Sequence, residues 1–571
     1  MKNAYLTTNA DRRHYLMMVM KNPLGFLVVL ALAGTLALAS TFGLVLASTF
    51  TVANTNDAGL GSLRQAIIDA NASTGADVID FAVPGCGPGS ASVCTISLSS
   101  ALPVISGTVA IDGQLAGGAP GIHLDGSGFG GRNNNGLTFA SGAGGSSVEG
   151  LSISGFPGRA IQSNGASNLL INNDVISGNA REGVRLFFAS DVEITNNDIQ
   201  GNGGTSIFGT GSDGMTILNN ILSNNGAGGV SMADVSGSRI QNNIIENNPA
   251  GGITMTGGSS GNFIADNYLA NQGNRSIAMG HPVFLASNGS LAFQRAVTAG
   301  AINNNYDGIN NNTFIRNTVL NTGASAGFII GGDPTPSLIA EEQRVGALGL
   351  CGVVGGSYPD CCPTELQADG SCKLVHDDVR ALLVAADPDP TGNAILESSI
   401  AGSAGLGIDL TEAYAVSQTP NLATGLFFLE PVPDGVTAND PKDQDFGPNG
   451  LQNYPSISNA QKLDDDELRV HGQLLSGRDK TYHIEFFALT PADADPTGHG
   501  EGSVFLGSTT VETNHGGNAE FDVVLGNIPG VDVGDAVTST ATEIISAGPT
   551  VYGGTSEFSK NVEVKKAKSR R

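Results

Sequence analysis

Residues 171–193, 194–216, 217–239 and 240–263 read INNDVISGNAREGVRLFFASDVE, ITNNDIQGNGGTSIFGTGSDGMT, ILNNILSNNGAGGVSMADVSGSR and IQNNIIENNPAGGITMTGGSSGNF. They are one unit written four times. Aligned on Ile171, Ile194, Ile217, Ile240 and Ile264, the blocks step by 23, 23, 23 and 24 residues within a repeating stretch from Val148 to Met279. Ile176, Ile199, Leu222, Ile245 and Leu269 lie five residues further on, and Val184, Ile207, Val230, Ile253 and Ile277 thirteen further on. These apolar columns are predicted to face inward. Polar columns keep step as well: Asn173, Asn196, Asn219, Asn242 and Asp266 form one, and Asn179, Asn202, Asn225, Asn248 and Gln272 another. These are predicted to be corners, the first of them as a ladder of stacked side chains.

A fixed period of this size means stacked units, none of which buries its apolar face alone. Each block offers three short Ile- and Val-rich clusters separated by Asn and Gly, and no run at helical spacing. Three strands and three turns per coil follow. Asn tolerates the left-handed conformation of a sharp corner, and identical amides about 4.8 Å apart can hydrogen-bond up the stack. The unit is therefore a parallel β-helix coil. Leucine-rich repeats share the period but need Leu-dominated strands and a helical second half, where this chain has Gly, Ser and Asn.

The chain is 571 residues long, with 80 glycines, no Trp, 14% charged residues and a net charge of -26. Nucleic acid and anionic lipid are poor partners for so acidic a chain, and no nucleic-acid partner is expected. Lys2, Arg12, Arg13 and Lys21 precede an apolar run from Leu24 to Ala47, so residues 1–48 are expected to be either a cleaved export signal or an uncleaved anchor. That run is the only expected membrane contact. Export directs the protein to the extracellular space or cell surface and permits disulfides among its six cysteines.

Residues 49–147 read as an N-terminal cap and irregular early coils. Ser62 and Gln65 have capping-box spacing, and Leu63, Ala66, Ile67 and Ala70 fall on one face of the helix they open. An open solenoid end exposes core and strand edges, so a lid is needed there. Cys86 and Cys94 bracket a Gly- and Pro-rich loop that a disulfide would close.

The stretch TFTVANTNDAGLGSLRQAIIDANASTGADVIDFAVPG resembles the N-terminal segment of exported bacterial right-handed parallel β-helix proteins, most of them without an assigned activity. ISLSSALPVISGTVAIDG, DGVTANDPKDQDFGPNGLQNYPSIS and GGTSEFSKNVEV resemble the same group, so the likeness covers most of residues 49 to 564. It implies a right-handed coil. Its shared words are turns, caps and strands, which specify architecture and leave the chemistry open.

Regular coils are expected over 148–280 and last coils over 395–433, where Ile395, Ile400 and Ile408 restore the offsets. Between them, 281–394 reads as an insertion holding one coil near Asn312 and a loop with Cys351, Cys361, Cys362 and Cys372. Their spacing fits no usual zinc pattern, and two local disulfides are expected. Residues 434–466 form an acidic connector in which Asn439, Asp440, Asp443 and Asp445 could hold calcium, or serve as turn and cap residues. Alternating strands over 467–564 predict an immunoglobulin-like β-sandwich, and 565–571 a basic tail.

Polysaccharide-cleaving chemistry needs clustered carboxylates on neighbouring coils. The outward columns Arg185, Phe208, Ser231, Thr254, Ala278 and Asn172, Thr195, Leu218, Gln241, Ala265 contain none. The charged knot of Arg181, Glu182, Arg185, Asp191 and Glu193 reads as a salt-bridged corner, and Gly498-His499-Gly500, a short polygalacturonase motif, stands alone in the sandwich. The expected function is a non-catalytic, adhesin-like surface or matrix protein that binds glycans or other cell-surface components. The alternative is a polysaccharide lyase or glycoside hydrolase drawing on Asp307, Asp333, Glu341, Glu342 or His376 of the insertion.

Overall fold

A computed structural model describes residues 47–279, 309–331, 391–411 and 433–567 apart from isolated loop positions, together with the backbone of five short strands in between. Ser48 to Arg571 forms one compact unit. The expectations for residues 1–46, and for the side chains of Cys351, Cys361, Cys362, Cys372, Asp307, Asp333, Glu341, Glu342 and His376, lie outside the described residues.

Three parallel sheets of 11, 10 and 9 strands run the length of the solenoid. In the first, Ile171, Ile194, Ile217, Ile240, Ile264, Phe314 and Ile395 stand directly above one another. In the second the column is Ile176, Ile199, Leu222, Ile245, Leu269, Val319 and Ile400, and in the third Val184, Ile207, Val230, Ile253, Ile277, Phe328 and Ile408. All are buried in one continuous core. The coil foreseen near Asn312 is present as Thr313–Ile315, Thr318–Leu320 and Phe328–Gly331, and both excursions from the helix leave between a third-sheet and a first-sheet strand.

The early coils are regular in space although their sequence period is lost. Thr49–Val52, Asp77–Phe81 and Val109–Asp112 begin the first sheet, and Cys94–Ser97 and Ile122–Asp125 begin the second. Length variation is confined to the corners, where solvent absorbs it. The helix Leu63–Ala72 covers this end: Ser62 caps it by accepting from the Gln65 N–H, and Leu63, Ala66, Ile67 and Ala70 enter the core. Cys86 and Cys94 are disulfide-bonded.

The stacked amide ladder differs from expectation by one residue. Asn173, Asn196, Asn219, Asn242 and Asp266 all have positive φ, between 54° and 59°, as corner residues should. The amide ladder, however, runs through the next position. Asn197 Nδ2 donates to Asn220 Oδ1 (3.0 Å), Asn220 to Asn243 (3.0 Å), Asn243 to Asn267 (2.9 Å) and Asn267 to Asn317 (3.0 Å). A left-handed residue reverses the chain, so its own side chain points out while that of its successor enters the interior. The second polar column follows this rule: Gly178, Gly201 and Asn224 have positive φ, and Asn179, Asn202, Asn225 and Asn248 behind them are buried and bonded in series.

The C-terminal domain begins earlier than the sequence suggests, since Ser456–Lys462 is already one of its strands, and its last strand extends to Lys566. Glu467–Leu475 lies between Ser456–Lys462 and Asn518–Gly526, while Thr481–Leu489 lies between Val504–Glu512 and Ala536–Ala547. Val562–Lys566 joins the two groups, parallel to Ser456–Lys462 and antiparallel to Ala536–Ala547. The result is an eight-stranded β-domain, nearly closed like a barrel around Tyr482, Ile484, Phe486 and Phe521. The opposite face of Thr481–Leu489 docks on the solenoid. Phe487 and Phe558, edge to face at 5.4 Å, join the solenoid core, and a Cβ on Gly407 would meet the Phe558 ring at 2.7 Å. Among the described residues no helix is long and apolar enough to cross a membrane.

Candidate functional site

The outward face of the third sheet holds a polar and aromatic surface built by the same 23-residue step. Ile161–Asn164, Val184–Phe187 and Ile207–Thr210 place Gln162, Arg185 and Phe208 in one outward column, with Asn164 and Phe187 two residues along. The Arg185 guanidinium lies 4.3 Å from the Phe187 ring centre and 3.8 Å from that of Phe208. Both rings attract it through their quadrupoles. At the preceding corner Glu182 receives Arg185 on one oxygen and Arg159 on the other, each at 2.8 Å.

A row of amides continues the surface: Arg159 and Asn135 both donate to Gln162 Oε1 (3.2 and 3.1 Å), and Gln162 donates to Asn164 Oδ1 (2.7 Å). Burial works against ionisation of Glu182, but its own backbone N–H and the two guanidinium groups hold its carboxyl below the usual range. Burial in turn pulls Arg185 down, against the pull of Glu182. Glu182 is thus a fixed anion with both oxygens occupied, unsuited to deliver a proton near neutral pH. Of the expected knot, Glu182 and Arg185 are brought together. Asp191 instead sits at a positive-φ corner facing Gly214, and Glu193 opens the exposed end of a first-sheet strand. Arg159, one period before Glu182, takes their place.

A second cluster lies in the connector. Asp440, Asp443 and Asp445 each offer an oxygen, all within 4.8 Å of one another. Asp440 accepts from the Gln444 N–H, and Asp443 from the Asn453 N–H and the Ser476 hydroxyl. Asp445 Oδ1 is buried without a hydrogen-bond partner. Burial, reinforced by the charges of Asp445 and Asp440, pushes Asp443 up to about 6 against those hydrogen bonds, and burial also raises Asp445. Three acidic oxygens this close need a proton or a cation between them, and an all-oxygen set suits a hard divalent ion. Asn439 binds the backbone of Tyr454. Its amide accepts from the Tyr454 N–H (3.0 Å) and donates to the Tyr454 carbonyl (2.8 Å), closing the connector loop.

Gly498-His499-Gly500 lies in a loop of the C-terminal domain. His499 Nδ1 is 3.1 Å from the Phe558 carbonyl and its ring meets Tyr454 edge to face, so its surroundings are structural.

A family model described as "Right handed beta helix region" matches residues 121–279. No curated protein matches the chain. Among solved structures, similarity extends to the A-module of Azotobacter vinelandii mannuronan C-5 epimerase AlgE6, at 15% identity and a TM-score of 0.35, over 49% of this chain and 89% of that one. The catalytic domain of a GH87 alpha-1,3-glucanase in complex with nigerose is similar at 15% identity and a TM-score of 0.36, over 49% of this chain and 50% of the other. Tailspike protein 2 of Escherichia coli O157:H7 bacteriophage CAB120 is similar at 10% identity and a TM-score of 0.33, over 88% and 68%. The chain therefore spans about half of the glucanase catalytic domain.

Proposed function

We propose that this chain is an exported, non-catalytic glycan-binding protein of the cell surface or matrix, with the third-sheet face as its binding surface and the C-terminal β-domain as a docked module. The observation that carries this reading is the Arg185 guanidinium between Phe187 and Phe208 beside the Asn135, Gln162 and Asn164 amides. Aromatic faces take the C–H side of a sugar ring, while planar amides and guanidinium groups pair with neighbouring hydroxyls. The only carboxylate in this network, Glu182, is committed to two arginines. Affinity electrophoresis of the full chain against acidic and neutral polysaccharides tests it. Retardation by at least one polysaccharide is expected, weakened about tenfold by Phe208→Ala or Arg185→Ala, as loss of roughly 1.4 kcal/mol of stacking implies. Retardation that ignores both substitutions overturns the reading, and release of new reducing or unsaturated ends moves the function to the lyase or hydrolase class.

The connector cluster is read as a calcium site formed by Asp440, Asp443 and Asp445. With no cation present, the raised Asp443 acid contributes stability below its unfolded value of 3.8 and loses it as pH rises through about 6. Millimolar calcium should therefore raise the Tm at pH 7.5 and much less at pH 5. Asp443→Asn and Asp445→Asn should both remove the calcium response. An equal calcium shift in wild type and variants would place the ion elsewhere.

A further inference from the structure

The C-terminal domain fastens to the last coil with carboxyl groups, one at each side of the coil. Glu485 accepts from the Glu397 N–H (3.1 Å) between the first- and second-sheet strands, Glu501 from the Ser403 N–H (2.7 Å) after the second, and Glu557 from the Leu410 N–H (3.1 Å) within the third. Glu557 also accepts from the Thr437 N–H (2.9 Å), tying the connector to the same point. All three are buried, as is Asp409, which projects from the last third-sheet strand toward Asp434. Among the described residues no Lys or Arg pairs with any of the four. Only Glu485 has a basic neighbour among the described residues, His483 at 3.4 Å.

We propose that these carboxyls form a pH-sensitive latch, closed in acid, which loosens the C-terminal domain from the solenoid end as pH rises through neutrality. Burying a carboxylate without a cation is unfavourable, and a proton is the cheapest neutraliser available. Burial pushes Glu501 up to about 7, with Asp495 adding to it, and Glu557 up to about 7, with Asp434 adding. Burial, then the charges of Glu557 and Asp434, push Asp409 up to about 8. The hydrogen bonds from the coil oppose these shifts without cancelling them. Of the other titratable groups facing the junction, Tyr454 is raised by burial and by the charge of Glu557, and Tyr552 by burial and by those of Glu485 and Glu397.

In the undocked or unfolded chain these acids titrate near their ordinary values, 3.8 for Asp and 4.5 for Glu. Between those values and about 7 to 8 the docked state binds more protons, so docking is strongest below about pH 4 and is lost as pH rises through that window. Each group that must release its proton weakens docking up to about tenfold per pH unit.

Hydrogen exchange of the full chain, followed by mass spectrometry from pH 5 to 9, tests the latch. Protection of residues 394–411 is divided by that of the central coil 194–216 in the same molecule, which cancels the pH dependence of the exchange chemistry. The ratio is expected to fall at least roughly tenfold between pH 6 and 8, and to stay flat in the triple variant Glu501→Gln, Glu557→Gln, Asp409→Asn, whose amides imitate the protonated state. Should the triple variant not fold, each single variant should flatten the ratio in part. A pH-independent ratio in the wild type, or an undiminished fall in the variants, overturns the proposal.

Discussion

Replacing Ile217 with Asp is expected to abolish folding, whereas replacing Thr254 with Asp leaves the melting temperature nearly unchanged. Ile217 is fully buried, stacked between Ile194 and Ile240 in the column that runs the length of the first sheet. A carboxylate there has no cation within the core, so it is either desolvated or protonated, at a penalty of at least several kcal/mol. That is comparable with the whole stability of a typical domain, about 5 to 15 kcal/mol. Because each coil is supported only by its neighbours, a coil that fails in the middle also removes the support of those on either side. Thr254 is half-buried on the outward face of the third sheet, between Ser231 and the buried Ala278, and an added charge there keeps part of its contact with water. A change within about 0.5 kcal/mol is expected. Thermal unfolding by circular dichroism compares the two, and equal melting temperatures would sink the assignment of inside and outside.

The inward columns are legible in the sequence because every coil must bury the same three faces, so the chemistry repeats wherever the geometry does. The N-terminal lid is legible for a local reason: Ser62, Gln65 and the four apolar positions of the helix lie within ten residues of one another. The surface around Arg185 is half legible. Arg185 and Phe208 stand out as an outward column, with Gln162 and Arg159 one regular step earlier, whereas Asn135 belongs to an early coil that has lost the period. Carrying the 23-residue step back once from Arg185 and Glu182 reaches Gln162 and Arg159 inside the repeat itself. The carboxyl latch leaves no local trace. Glu485, Glu501 and Glu557 come from separate parts of the C-terminal domain, and their partners are backbone N–H groups, which every sequence offers equally. The connector cluster is visible as close-spaced acids, and only the fold shows that the Asn439 amide is taken up by the Tyr454 backbone.

The ladder lies one residue beyond the position that spacing predicts because consecutive asparagines fill both positions, at Asn196-Asn197, Asn219-Asn220 and Asn242-Asn243. Spacing alone cannot say which of each pair turns inward, but substitution can. Asn220 is fully buried: its amide donates to the Ile194 carbonyl (2.8 Å) and to Asn243 Oδ1 (3.0 Å), and its oxygen accepts from both the backbone and the side chain of Asn197 (2.9 and 3.0 Å). Asn220→Leu fits the volume and strands these partners in the core. At about 1 to 3 kcal/mol for each group left unsatisfied, the loss should be several kcal/mol, even though Leu is the more apolar residue. Asn219 has φ of 57° and its side chain faces outward. Asn219→Gly keeps the corner at almost no expense, while Asn219→Val places a β-branched side chain at positive φ and should be destabilised by about 1 to 3 kcal/mol. The expected order of melting temperatures is therefore wild type and Asn219→Gly together, then Asn219→Val, then Asn220→Leu lowest. If Asn220→Leu proved as stable as Asn219→Gly, the inward amide ladder could not be what holds successive coils in register at this corner.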